Sequence, residues 1–92
     1  MEIEVIKTPG HSPEHSSLIA KTKDKGIIAV STDVFWWEDG NQKSDTIEEL
    51  MTLKDPFAAD EKALHESREK ILKIADWIIP GHGKIFRNPS KV

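Results

Sequence analysis

The chain has no cysteine among its 92 residues. That excludes disulfide frameworks and every thiolate metal site, and leaves the chemistry to His, Asp and Glu. Long apolar runs are missing too. The longest, Gly26 to Val30, falls far short of the roughly 20 residues that a membrane-spanning helix needs. Met1-Glu2-Ile3-Glu4 lacks the basic start of a secretory leader, so the expected setting is cytoplasmic. Nor is there an excess of positive charge: 13 Lys and Arg against 16 Asp and Glu leave a net charge of −3. With a pI near 5.8, no whole-molecule field draws in nucleic acid or anionic lipid. Apolar residues make up 37% and charged ones 32%, with a mean hydropathy of −0.49. At 10.4 kDa the expectation is one small domain over residues 1–92. Chains of this size bury only about 60–65% of their unfolded surface, so its core is modest.

What is present reads as strands first and helices later. Glu2 to Lys7 alternates in part and predicts a strand, broken by Thr8-Pro9-Gly10-His11. Ser16 to Thr22 and Gly26 to Thr32 predict two antiparallel neighbours joined by a turn at Lys23-Asp24-Lys25-Gly26. The third strand is apolar on both sides, with Ile27 and Ala29 facing one way and Ile28 and Val30 the other, and so needs a layer on each face. An aromatic burst, Val34 to Trp37, leads into a polar loop from Glu38 to Ser44. Asp45-Thr46-Ile47-Glu48 resembles a capping box and predicts a short helix ending near Leu53. Asp55-Pro56 reads as the start of a long helix reaching about Ala75, with Leu64, Ile71, Leu72 and Ala75 on one stripe. Glu66–Lys70 and Glu69–Lys73 are spaced as i,i+4 pairs on its wet side. Trp77 to Ile79 reads as a short buried strand stopped by Pro80-Gly81-His82-Gly83. The pattern predicts an α/β fold whose mostly antiparallel sheet carries the long helix on one face.

One echo carries chemistry. Pro-Gly-His occurs twice, as Pro9-Gly10-His11 and Pro80-Gly81-His82, each where a predicted strand ends. A histidine there projects into the rim where sites of α/β proteins gather. Pro-Gly by itself makes turns, and the echo alone leaves a plain turn as an alternative. Asp33 strengthens the case, because it closes an apolar strand and brings its carboxylate to the same kind of edge. Two imidazoles and a carboxylate are a workable ligand set for zinc, iron or manganese. The alternative for Asp33 is a turn or helix cap.

These local words resemble those of the metallo-β-lactamase superfamily: Thr8-Pro9-Gly10-His11-Ser12-Pro13-Glu14-His15, Ser31-Thr32-Asp33-Val34-Phe35 and Ile78-Ile79-Pro80-Gly81-His82-Gly83. The long helix carrying Glu66-Ser67-Arg68 ahead of Pro80-Gly81-His82 looks like that superfamily's closing segment, and the resemblance runs from Thr8 to Phe86. It implies that His11 ligates one metal, that His82 ligates a second and that Asp33 bridges them. It also implies half of an αββα sandwich. The family's other ligands come from an H-x-H-x-D-H motif, and no such motif is present: the histidines are His11, His15, His65 and His82. One copy of this chain therefore cannot build a complete binuclear site. In the intact family, metal-bound hydroxide attacks an ester, amide, thioester or phosphodiester.

Other residues have two readings each. His15 is four residues from His11, but Pro13 and the following strand disfavour a helical metal pair, and a supporting hydrogen bond is the better reading. His65 reads as a solvated helix histidine. Phe35, Trp36 and Trp37 suit a substrate mouth or core packing; Arg68 and Lys84 suit an acidic substrate group, with surface charge as the default. The resemblance leaves three functions open: a metal-dependent hydrolase completed by a second chain, a non-catalytic metal-binding or interaction module, and an RNA-processing nuclease, which the acidic pI disfavours. The isolated chain is expected to be inactive. His11, Asp33 and His82, the histidines 71 positions apart, are expected to converge at one sheet edge and hold a single divalent ion, zinc above all. The exposed apolar sheet of a half-fold calls for a cover, either a second copy in a two-fold homodimer or a separate N-terminal-half chain.

Overall fold

A computed structural model describes residues 2–38 and 40–91. Met1, Asp39 and Val92 lie outside that range, so the Glu38–Ser44 loop is described without Asp39. Five strands form one sheet in sequence order: β1 (Glu2–Lys7), β2 (Ser16–Lys21), β3 (Ile27–Trp36), β4 (Trp77–Gly81) and β5 (Phe86–Arg87). Two α-helices, α1 (Ile47–Met51) and α2 (Glu61–Ile74), separate β3 from β4. The pairs β1–β2, β2–β3 and β4–β5 are antiparallel, and β3–β4 is parallel. This is the expected α/β fold with a mixed, mostly antiparallel sheet, consistent with half of a metallo-β-lactamase sandwich.

Strand periodicity divides the sheet into two unlike faces. On one, Ile19, Ala29, Ile78 and Phe86 stand in register across four strands, all buried, and join Leu64, Ile71 and Leu72 of α2 in the core. On the other, register groups Ile3 with Ala20, Ile28 and Trp77, and Val5 with Leu18, Val30 and Ile79. None of these eight is buried, and Ile3 and Val5 are each 64% exposed. The doubly apolar third strand thus has its layer on one side only. No described helix is long and apolar enough to cross a membrane.

The Lys23–Gly26 turn forms as expected: Gly26 adopts a φ of 69°, and its carbonyl accepts from the Thr22 N–H and hydroxyl. Other expectations need correction. The capping box sits one residue later than read. Thr46 is the N-cap and Glu49 the reciprocating residue, because their spacing lets each side chain reach the other's backbone N–H. The long helix starts not at Asp55-Pro56 but at Glu61, capped by Asp60. The intervening backbone is diverted, since Ala59 N–H donates to the His11 carbonyl (3.2 Å) and Asp60 N–H to that of Gly10 (2.9 Å). Nor does Asp33 close its strand. β3 runs on to Trp36 through register shifts on either side of Thr32, whose φ of 43° is rare for a β-branched residue. Glu66–Lys70 and Glu69–Lys73 make no ion pairs; Glu69 meets His65 instead, at 3.1 Å.

Candidate metal centre

Strand direction brings the candidate residues to one edge. β1 and β3 are both antiparallel to β2, and β4 is parallel to β3, so β1, β3 and β4 all run the same way. His11 follows the end of β1, Asp33 lies within the last four residues of β3, and His82 follows β4 directly. In open α/β sheets this carboxyl edge is where ligands bind.

Within that edge the first two residues meet. His11 Nε2 lies 3.6 Å from Asp33 Oδ2, with side-chain exposures of 23% and 43%. His82 is exposed, in a left-handed conformation with φ of 51°, and follows Gly81, whose backbone packs against Thr32 and the Asp33 carboxylate. Among the described residues no group of three or more His, Asp or Glu side chains is drawn close enough to hold an ion. A concavity of about 400 Å³ lined by Asp55, Leu64, His65 and Arg68 includes none of the three, which occupy an open rim.

The other nitrogen of the His11 ring is held from behind. Nδ1 lies 2.5 Å from Oδ2 of Asp55, a carboxylate with no solvent exposure, whose Oδ1 accepts from the Phe57 N–H at 2.9 Å. Burial works to raise the Asp55 pKa. The hydrogen bonds from His11 and Phe57, the nearby Trp36 indole and the charge of His11 together outweigh it, so the carboxyl sits below its ordinary value. The indole helps through proximity, since its N–H completes no hydrogen bond. Trp36 stands edge-on to His11 with centroids 6.2 Å apart and stacks on the exposed Phe57 at 6.0 Å. Of the aromatic burst, then, Phe35 and Trp37 are buried core and Trp36 flanks the rim.

His15 forms the supporting bonds read for it. Its Nδ1 lies 2.9 Å from the Thr8 hydroxyl, and Nε2 lies 2.8 Å from that of Thr32, the neighbour of Asp33. Surface charge is the wrong default for Arg68, which is only 3% exposed. Its Nε donates to the Val34 carbonyl at 2.9 Å and Nη1 to that of Leu53 at 2.6 Å, so it ties β3 to the segment entering Asp55. Burial lowers its pKa, and the opposing charge of Asp55 partly restores it. Lys84 is exposed, but its backbone is held from both sides by the Gln42 amide, at 2.8 and 3.0 Å, which steadies the loop carrying His82. His65 is solvent-exposed, as read.

Asp55 and Gln42 carry no site reading in the sequence, and Arg68 carries only that of a substrate-holding or surface charge. Asp55 acts across 44 positions, Gln42 across 42, and Arg68 across 34 to Val34. No local spacing marks such partners. The Asp-Pro step also gave Asp55 a competing role as a cap.

Imidazole nitrogen beside carboxylate oxygen, with the second ring nitrogen tied to a buried carboxylate, is the donor chemistry of zinc, iron and manganese sites. His11 and Asp33 fit such an ion as a partial ligand set. Fold and edge together define an α/β chain with a histidine and a carboxylate side by side at the carboxyl edge of its sheet. Comparison with known proteins makes the family plain: the chain is a relative of the metallo-β-lactamase domain proteins. It is 37% identical over 86 residues to metallo-beta-lactamase domain-containing protein 1 of Xenopus laevis, 35% over 86 to that of Homo sapiens and 33% over 89 to that of Mus musculus. Each comparison covers 92% of this chain but only 32%, 29% and 29% of those proteins, so the chain spans about a third of the relatives it matches. No family model matches it.

Proposed function

We propose that this chain contributes part of a metal-dependent hydrolytic centre, with His11, Asp33 and His82 as its ligands and a second chain supplying the rest. The observation that carries the reading is the approach of His11 Nε2 to Asp33 Oδ2, 3.6 Å apart at the carboxyl edge of the sheet. Zinc suits this nitrogen and oxygen set, and iron and manganese accept it as well. When bound, such an ion lowers the pKa of water and polarises an electrophile. This chain's own residues do the preparatory work. His11 presents a ring nitrogen, Asp33 an acidic oxygen, and Trp36 with Phe57 an apolar wall beside them.

The second chain is a second copy of this one. Eight apolar side chains in two rows across β1 to β4, three exposed and five half-buried, occupy the face opposite α2, and a two-fold dimer covers such a face with itself. A cytoplasmic setting belongs to the same proposal. A second reading, a non-catalytic metal-binding or interaction module, is favoured by the absence, among the described residues, of three His, Asp or Glu side chains grouped so as to hold an ion.

Zinc titration followed by calorimetry tests the ligand set. The unaltered chain takes up zinc, and His11→Ala and Asp33→Ala each weaken uptake; equal binding by parent and variants overturns it. Hydrolysis of ester and phosphodiester substrates by the loaded dimer, abolished by Asp33→Ala, separates enzyme from module. Sedimentation equilibrium at micromolar concentration tests the assembly, and a species at 10.4 kDa refutes the homodimer.

A further inference from the structure

We propose that Asp55 is a positioning residue for His11: its buried carboxylate holds the Nδ1–H, so that Nε2 faces Asp33 as a lone-pair donor. The inference deepens the metal-binding reading and rests on it for its purpose, but its first test needs no metal.

A neutral imidazole has one N–H and one lone pair, and whichever nitrogen donates leaves the other to accept or to ligate. At His11 the choice is made by what each nitrogen faces. Nδ1 meets a carboxylate with no exposure to water, whereas Nε2 points to the half-exposed Asp33. Both Asp55 oxygens are already engaged, Oδ2 by His11 and Oδ1 by the Phe57 N–H, so the carboxylate has a defined direction.

The segment that delivers Asp55 is itself fixed at three points. Arg68 holds the carbonyl of Leu53, two residues before it, and with the same guanidinium holds Val34, the residue after Asp33. The Ala59 and Asp60 N–H groups bind the carbonyls of His11 and Gly10. One stretch of chain therefore grips both the ring and the backbone of His11, while a single buried cation sets its distance from the strand bearing Asp33. A carboxylate with a purely structural role would need only to satisfy the loop, and its loss would register as stability alone. Orienting a ligating histidine through its second nitrogen instead alters ring protonation and metal affinity.

The test uses the full chain with ¹⁵N-labelled histidine. Ring-nitrogen shifts of the neutral ring in metal-free protein are expected to show His11 as the Nδ1–H tautomer. Asp55→Ala should move it to the Nε2–H form that a free histidine side chain prefers. Asp55→Asn, whose amide oxygen still accepts the Nδ1–H, should retain the parent tautomer. Zinc affinity should then fall by about 10- to 100-fold in Asp55→Ala and by less in Asp55→Asn. An Nε2–H tautomer in the parent, or one unchanged in Asp55→Ala, overturns the proposal. So does equal zinc affinity in the parent and a folded Asp55→Ala. If Asp55→Ala fails to fold, the parent and Asp55→Asn spectra decide. A parent that takes up no zinc defeats the functional reading above, and Asp55 is then judged on the tautomer alone.

Discussion

Ile78 and Ile79 are neighbours in sequence with nearly opposite surroundings. Ile78 is fully buried between the sheet and α2, in line with Ala29 and Phe86. Ile79 lies on the other face, in line with Val30, Leu18 and Val5, a row that grows more exposed toward the edge strand. Both faces are apolar, so hydrophobicity alone does not say which one the chain covers by itself. Helix α2 decides it: the stripe of Leu64, Ile71 and Leu72 matches one face, and no second stripe exists for the other. An antiparallel sheet of a lone domain normally turns a polar face to water. This one turns a second apolar face outward, which supports the proposed dimer.

The sharpest break of that contrast is at Arg68, on the covered side. Arg68→Ala removes two bonds to backbone carbonyls and the cation opposite Asp55. It should cost about 2–6 kcal/mol, at about 1–3 kcal/mol for each of the two buried carbonyls left without a donor, measured by urea unfolding. Next come the two isoleucines. Ile78→Ala should cost about 2–5 kcal/mol and Ile79→Ala markedly less when both are compared as monomers. Equal losses would mean that the two faces are packed alike.

Smaller effects sharpen the picture at its margins. Thr46→Ala removes the cap of α1 and should cost about 1 kcal/mol by the same unfolding measurement. Asp55 holds its proton less tightly folded than unfolded, so its contribution is complete above the ordinary value of 3.8 and is lost as pH falls through the lower folded value. Acid titration of the parent should show that loss below about pH 4, and Asp55→Asn should show a shallower fall over the same interval. Last, Leu18→Lys on the open face should leave the midpoint of urea unfolding almost unchanged in the dilute monomer, while abolishing association in the ultracentrifuge.

How much of this was legible beforehand follows from range. β1, β2, the Lys23–Gly26 turn and the stripe of α2 depend on neighbours within a few residues, and they appear where periodicity and turn chemistry put them. The two Pro-Gly-His copies fall at one edge of the sheet, because strands running the same way end at the same side. The start of α2 was misread, because Asp55-Pro56 satisfies the local rule for a helix start while Gly10 and His11, over 40 positions away, claim the backbone just before Glu61. The open face was foreshadowed by the doubly apolar Ile27 to Val30. Which of its sides would stay bare depended on the register with β4, which no window of sequence contains.

The clasp between the His11 loop and the start of α2 has a consequence for how the molecule breathes. The carbonyls of Pro9, Gly10 and His11 accept from the Ser67 hydroxyl (2.7 Å), the Asp60 N–H (2.9 Å) and the Ala59 N–H (3.2 Å) respectively. Asp60 is also the residue that caps the helix. The loop therefore cannot swing out without baring those amides, and the first turn of α2 cannot fray without freeing the loop. The two open as one cooperative unit. Anything that binds at His11 restrains the closed form, and the Ala59 and Asp60 amides would then exchange their hydrogens with solvent more slowly, although neither touches what is bound.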